Sequence, residues 1–197
     1  TAKLNQALSD VESLKEHFES ISMVDQLTGL YNRRYFYDQV EVAFAKTKRY
    51  GESLCLLILD LDEFKKANDN YGHGFGDTVL KETSKALQQQ VRDTDVLVRY
   101  GGEEFIVIFT NTNCTNGNVF AERIRDNIQN LTWDKEGFSQ TISIGLYCYS
   151  IECCALDSNT DEMEVDKIIH CADTALYQAK EQGRNRVVTF SDDMLEK

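Results

Sequence analysis

Proline does not occur in this 197-residue chain, and function offers no account of its absence. Basic residues are scarce: 21 Lys and Arg face 33 Asp and Glu, a formal net charge of −12. Such a surface repels polyanions, which argues against general nucleic-acid binding and against direct contact with an anionic membrane. A nucleotide held by a few local cations and a metal remains compatible with it. No apolar run approaches bilayer length, and no signal-peptide pattern opens the chain. CxxC spacing is missing as well. Several of the six cysteines (Cys55, Cys114, Cys148, Cys153, Cys154, Cys171) lie in apolar runs, so they read as buried, reduced thiols in a cytoplasmic protein. Metal binding or oxidant response at the adjacent Cys153 and Cys154 is the lesser reading, because no histidine stands near them.

What the chain does contain is periodicity. Leu4, Val11 and Phe18 recur at heptad position a, with Ala7, Leu14 and Ile21 at d. Residues 1–24 are therefore read as the stub of a longer N-terminal signalling helix that pairs in a parallel coiled-coil dimer. Packing on its own domain is the other arrangement the pattern allows. Residues 25–34 break the period and turn the chain. Asn32 is placed to cap a helix whose apolar face is Phe36, Val40, Ala43, Phe44 and Thr47, and Gly51 ends it. Residues 53–59 are almost continuously apolar, as a strand covered on both faces requires, and they run into Asp60-Leu61-Asp62. A loop over 71–77 precedes a helix to about Val91, with Val79, Leu80, Thr83, Ala86 and Leu87 on one face. Residues 96–98 and 105–109 flank Gly101-Gly102 and read as a hairpin turning through the two glycines.

Beyond a turn-rich stretch at 111–117 comes a helix through Val119, Phe120, Ile124 and Ile128, then a strand over 141–149. Residues 150–163 are acidic and read as an irregular excursion with no assigned role. The last helix carries Ile168, Ile169, Ala172, Ala175, Leu176 and Ala179, and a short strand over 186–190 follows. Residues 191–197 form a polar tail expected to fray. Helices interleaved with strands, one pair of them antiparallel, predict an α+β fold: a mixed central sheet flanked by helices.

Asp60 and Asp62 stand at the carboxyl end of a buried strand, where α/β-type sheets place ligands. If the hairpin tip with Glu103 and Glu104 lies beside them, the cluster offers hard oxygens that suit Mg²⁺ or Mn²⁺ with nucleotide phosphates better than zinc. A helix cap is the competing reading of Asp60. Lys65 and Lys66 lie just past the acidic pair, and Lys180 and Arg184 follow four apart near the end of the last helix. All four read either as phosphate partners or as solvated surface, the last two also as favourable to the helix dipole. Asn68 and Asp77 read either as caps or as readers of a guanine edge, the carboxylate accepting from N1–H and the amino group. His73, set between glycines, reads as structural.

Taken together, Asp60-Leu61-Asp62-Glu63-Phe64-Lys65-Lys66-Ala67-Asn68-Asp69, the pairs Gly72-His73 and Gly76-Asp77, and Gly101-Gly102-Glu103-Glu104-Phe105 resemble the GGDEF family, the diguanylate cyclases. The entry Asp25…Leu27-Thr28-Gly29-Leu30…Asn32-Arg33-Arg34 and the exit Ala179-Lys180…Gly183-Arg184-Asn185 match too. The likeness covers about residues 22–190, with residues 25–190 as the catalytic domain. A lone GGEEF is weak evidence, whereas several ordered motifs are specific. The resemblance implies a core similar to the nucleotidyl-cyclase and polymerase palm, condensing two GTP into cyclic di-GMP with release of two pyrophosphates.

Carried onto matching positions, Asp60 and Glu103 are expected to hold two Mg²⁺ (or Mn²⁺) per GTP, assisted by the Leu61 carbonyl. Glu103 is also the expected acceptor of the 3′-hydroxyl proton. Gly101 and Gly102 would let the triphosphate lie against the turn. The Phe64 backbone, Lys65, Lys180 and Arg184 would bind phosphates, Lys65 acting in catalysis too, and Asn68 with Asp77 would select guanine. Arg92, nine residues ahead of Gly101, and Asp95 match the RxxD inhibitory site, with Arg123 as a further product ligand; a polar turn is the plainer reading of Arg92 and Asp95. Glu104 stands where the family more often has Asp. Two facing sites would require a homodimer, assembled through the N-terminal helix. The alternative is a catalytically silent module that binds GTP or cyclic di-GMP, and retention of the whole catalytic set speaks against it.

Overall fold

The computed structural model describes residues 22–150 and 161–196. The expected coiled coil therefore lies outside the described residues, except for its last few positions, as do Cys153, Cys154 and most of the acidic stretch. The elements run β1 (Tyr31–Asn32), α1 (Arg33–Tyr50), β2 (Leu54–Leu61), α2 (Phe64–Tyr71), α3 (His73–Gln88), β3 (Val96–Gly101), β4 (Glu104–Thr110), α4 (Cys114–Gln129), β5 (Ile142–Tyr149), α5 (Asp161–Glu181) and β6 (Val187–Thr189), with a closing 3₁₀ turn at Asp192–Glu196.

One mixed sheet holds them, in the order β1-β3-β4-β2-β5-β6. β2 is its centre, antiparallel to β4 on one side and β5 on the other. The short edge strands β1 and β6 pair in parallel with β3 and β5. Every residue of β2 is buried, which explains its near-continuous apolar run: alternate side chains enter two different cores. Cys55, Leu57, Leu59 and Leu61 pack under α3 and α4. Leu54, Leu56 and Ile58 pack under α1 and α5. Each fully buried Leu or Ile contributes roughly 1.5–3 kcal/mol.

Local chemistry sets the helix limits. Asn32 accepts from the N–H groups of Arg34 and Tyr35, and Gly51 closes α1 with a left-handed φ of 69°. The buried face of α1 is Phe36, Val40, Ala43, Phe44 and Thr47, as the periodicity predicts. Gly145 has a different purpose. A Cβ there would lie 2.1 Å from the Ala172 carbonyl oxygen and 2.3 Å from the Leu176 nitrogen, so the backbone of α5 rests directly on β5.

Two expectations need correction, the loop at 71–77 and the start of the last helix. The loop over 71–77 is helical apart from Gly72, whose φ of 84° joins α2 directly to α3. The last helix begins at Asp161, inside the stretch read as irregular. The helix through Val119 is α4, whose buried face is Gly117, Ala121, Ile124 and Ile128, with Val119 exposed. Within the polar tail, Asp192–Glu196 form the 3₁₀ turn.

Candidate active site

β2 delivers Asp60 to one end of the sheet, directly opposite Glu104 of β4 and Ser143 of β5. Asp60 is buried, and its Oδ2 lies 2.8 Å from Nζ of Lys180 on α5. Burial pushes the pKa of Asp60 above its ordinary value; Lys180 pulls it down, while Glu103 and Asp62 add to the rise. Burial, followed by the charge of Asp60, also raises Glu104. Negative charge is therefore crowded at this strand end, and one ammonium offsets it only in part. Asp60 is not a helix cap: Glu63 holds the capping position of α2, with a left-handed φ of 54° and no side-chain cap bond.

The hairpin turns one residue later than the glycine pair suggests. Gly101 pairs with Glu104, so the two-residue turn is Gly102-Glu103. Among these residues only Gly102 has a positive φ, 51°, the pattern of a type II′ turn with glycine at its first central position. Glu103 thus sits in the turn itself, and its carbonyl accepts from the Leu61 N–H at 3.3 Å. Neither glycine would place a Cβ within 4 Å of anything, which leaves the outer side of the turn open to a bulky ligand.

Arg99 holds this turn in place. Its Nε and Nη2 donate to the Gly102 carbonyl at 3.0 and 2.8 Å, and its Nη1 donates to both oxygens of Asp25 at 3.0 and 3.1 Å. Asp25 also accepts from the N–H and hydroxyl of Thr28. Asn32 reaches back to the Ser22 carbonyl through Nδ2 and to the Met23 carbonyl through its backbone N–H. The entry segment and the turn are therefore one hydrogen-bonded unit. They border a cleft of about 470 Å³ whose lining includes Arg33, Arg34 and Arg99.

Asp62 proves different from Asp60. Ser143 and Thr141 donate hydroxyls to its carboxylate at 2.6 and 2.7 Å, and the Asn185 N–H donates at 3.0 Å. A carboxylate so fully engaged by neutral donors is an architectural tie between β5 and the segment after α5. That segment has left-handed backbone at Arg184 (φ 64°) and Asn185 (φ 47°). Asn185 is held further by Gln129 and Arg125 of α4. Arg184 is exposed and close enough to Glu63 to lower that carboxyl's pKa, second to Lys66, which is paired with it.

Phe64 is buried at the start of α2, with Lys65 exposed beside it. A Cβ on Gly76 would fall 1.9 Å from Asn68 Oδ1 and 3.2 Å from the Phe64 ring. Only glycine lets Asn68 lie against α3 there, and the exposed Asp77 follows it in sequence. Arg92, Asp95 and Arg123 gather at a second place. The Arg92 N–H donates to Asp95 Oδ2 at 2.9 Å, and Arg92 and Arg123 each sit 5.0 Å from the centre of the Phe120 ring. Burial raises the Asp95 pKa, and the Arg92 and Thr110 backbone N–H groups offset it only in part.

Among the described residues, no three His, Cys, Asp or Glu side chains form a ready-made metal cage. The donor set still fits Mg²⁺ or Mn²⁺, which take one or two carboxylates and complete their shell with water and substrate phosphates. Crowding that raises Asp60 and Glu104 is what a dication relieves. The sequence motifs include Asp25 and Asn185 without a role for either, and the sequence reading assigned none to Arg99 or Gly145. The signal for Asp25 and Arg99 was charge of opposite sign in two separated turn segments, which only contact can pair.

Fold and site define a class: an α+β domain that gathers carboxylates, a glycine turn and a lysine at one end of a mixed sheet. The family model described as "Diguanylate cyclase, GGDEF domain" matches residues 22–186, and the chain belongs to the GGDEF family. Similar curated proteins include the probable diguanylate cyclase DgcT of Escherichia coli, 37% identical over 86% of this chain. The response regulator PleD of Caulobacter vibrioides is 38% identical over 88%. The chain spans 36% and 37% of the length of these two relatives. Among solved structures, the coiled coil and GGDEF domain of DgcB from Caulobacter crescentus, in complex with c-di-GMP, superposes with a TM-score of 0.76. It shares 29% identity, with 95% of this chain and 97% of that one covered. The active GGEEF domain of a diguanylate cyclase from Vibrio cholerae gives 0.74 at 31% identity, over 85% and 99%.

Proposed function

We propose that this chain is a diguanylate cyclase that condenses two GTP into cyclic di-GMP and two pyrophosphates, working as a homodimer brought together by its N-terminal helix. The observation that carries this reading is the placement of Asp60 against Glu104, with Glu103 in the adjoining turn and Lys180 on Asp60 at 2.8 Å. Asp60, Glu103 and the Leu61 carbonyl would hold two Mg²⁺ or Mn²⁺. When bound, these ions lower the 3′-hydroxyl pKa and stabilise charge on the phosphoryl oxygens and the leaving pyrophosphate.

The chain's own residues do the rest. Gly101 and Gly102 leave the turn open for the triphosphate to lie along it. The start of α2 at Phe64 and Lys65, together with Lys180 and Arg184, neutralises phosphate oxygens, and Lys65 assists departure of the pyrophosphate. Asn68, held against Gly76, and Asp77 read guanine. Glu103 takes the 3′-hydroxyl proton. Product binds back at Arg92, Asp95 and Arg123, where the two guanidinium groups stand together at the Phe120 ring. Protein dimerised by a fused zipper and incubated with GTP and Mg²⁺ should release cyclic di-GMP, and Glu103→Gln should abolish it. Tight GTP binding with no product from the wild-type dimer would refute the cyclase reading in favour of a regulatory module.

A further inference from the structure

Cys55 and Cys148 stand directly opposite each other on the antiparallel strands β2 and β5. They lie near the end of β2 remote from Asp60, where the proposed chemistry makes no use of them. Their sulfurs are 3.5 Å apart. Directly opposed residues on antiparallel strands have Cα atoms about 4.5–5.5 Å apart, inside the range a disulfide spans. Opposed Cβ atoms stand about 4.5–5.5 Å apart, slightly wider than the roughly 3.5–4.5 Å of a disulfide, so joining the sulfurs takes side-chain rotation and a small local approach of the two strands.

The two thiols differ in access. Cys55 is fully buried, beneath α4, where a Cβ on Gly117 would sit 2.6 Å from its sulfur. Its S–H is directed at the carbonyls of Thr112 (3.2 Å) and Asn113 (3.5 Å) as well as at Cys148. Cys148 is only partly buried and lines a cleft of about 920 Å³, together with Tyr147, His170, Cys171 and Phe190. A small oxidant can reach Cys148, while Cys55 waits behind it.

We infer that Cys55 and Cys148 form a reversible redox pair whose oxidising substrate is hydrogen peroxide, with Cys148 as the attacking thiol and Cys55 as the resolving one. The Cys148 thiolate attacks the O–O bond, giving a sulfenic acid and hydroxide, which takes up the thiol's proton to become water. The Cys55 sulfur then attacks the Cys148 sulfur; the S–S bond forms, the S–O bond breaks, and oxygen leaves as a second water with the Cys55 proton. Both sulfurs are oxidised and the peroxide is reduced. A dithiol reverses the bond.

The test uses the folded, reduced wild-type chain treated with stoichiometric hydrogen peroxide, alkylated, and digested without reductant for mass spectrometry. A peptide joining Cys55 to Cys148 is expected, lost on treatment with dithiothreitol and still formed in Cys153→Ser/Cys154→Ser. In Cys55→Ser, Cys148 should remain a sulfenic acid that dimedone captures in most molecules, whereas wild type captures little. The inference is overturned if Cys148 joins another cysteine. It is equally overturned if wild-type Cys55 stays alkylatable after Cys148 has oxidised, or if neither thiol reacts. The wild-type peptide map decides the matter even if Cys55→Ser fails to fold.

Discussion

Replacing Arg99 with alanine tests whether the strap between the entry segment and the turn supports the site. The guanidinium makes two hydrogen bonds to the Gly102 carbonyl and two to Asp25. Hydrogen bonds to charged groups contribute about 1.5–3 kcal/mol each when buried. Four that share one side chain do not add, and the Arg99 and Asp25 side chains keep 14% and 25% exposure. Solvent screening reduces them further. Arg99→Ala should therefore cost about 2–3 kcal/mol, roughly a 30- to 150-fold drop in the folded-to-unfolded ratio. Urea denaturation of Arg99→Ala, Asp25→Ala and the double variant measures the coupling, expected at about 1–2 kcal/mol.

The pH dependence follows with a definite sign. Burial alone would raise the Asp25 pKa, but hydrogen bonds from Thr28 and then Arg99 outweigh it and hold it below its ordinary 3.8. A carboxyl with a depressed folded-state pKa stabilises above its unfolded value and loses that contribution as pH falls through the folded one. The coupling should be complete at neutral pH and fade in acid. A coupling below about 0.5 kcal/mol at neutral pH, the level of independent sites, would refute the strap.

Three further outcomes follow. Gly145→Ala places a methyl 2.1 Å from a backbone carbonyl of α5, so the urea midpoint should fall by the equivalent of about 3 kcal/mol or more; an unchanged midpoint would mean that α5 does not rest on β5. Lys180→Ala removes the cation that lowers Asp60, so the acid limb of cyclase turnover should move to higher pH as well as kcat falling, and an unmoved limb would separate Lys180 from Asp60. The folded-state pKa of Asp60 is raised, so its contribution to stability is complete below its unfolded value and disappears as pH rises through the folded one. Arg92→Ala should relieve inhibition by added cyclic di-GMP without changing the initial rate; inhibition equal to wild type would rule out the Arg92 and Asp95 site.

Much of the fold was legible in the sequence because its signals are local. The buried stripe of α1, its Asn32 cap and its Gly51 terminator are properties of one short segment, and the apolar run of β2 announces a strand buried on both faces. Legibility failed where a second segment decides. Two adjacent glycines suggest a turn at themselves, yet register against β4 pairs Gly101 with Glu104 and moves the turn onto Glu103. Glycines around His73 suggest a loop, yet packing of α2 against α3 keeps the stretch helical on either side of Gly72.

The sequence by itself determined the family, the element order and the set of polar residues worth watching, because motif spacing and hydrophobic period are written along one dimension. Only the tertiary structure decided which groups surround each of those residues. Asp60 and Asp62 are two positions apart and indistinguishable by composition. Strand pairing and the last helix bring Lys180 and the crowded carboxylates to the first, and bring Ser143, Thr141 and the Asn185 N–H to the second. Asp60 is crowded by like charges that one ammonium offsets only in part, whereas Asp62 is satisfied by neutral donors and ties β5 to the segment after α5. That distinction depends on what surrounds each side chain, and distant parts of the chain supply those surroundings.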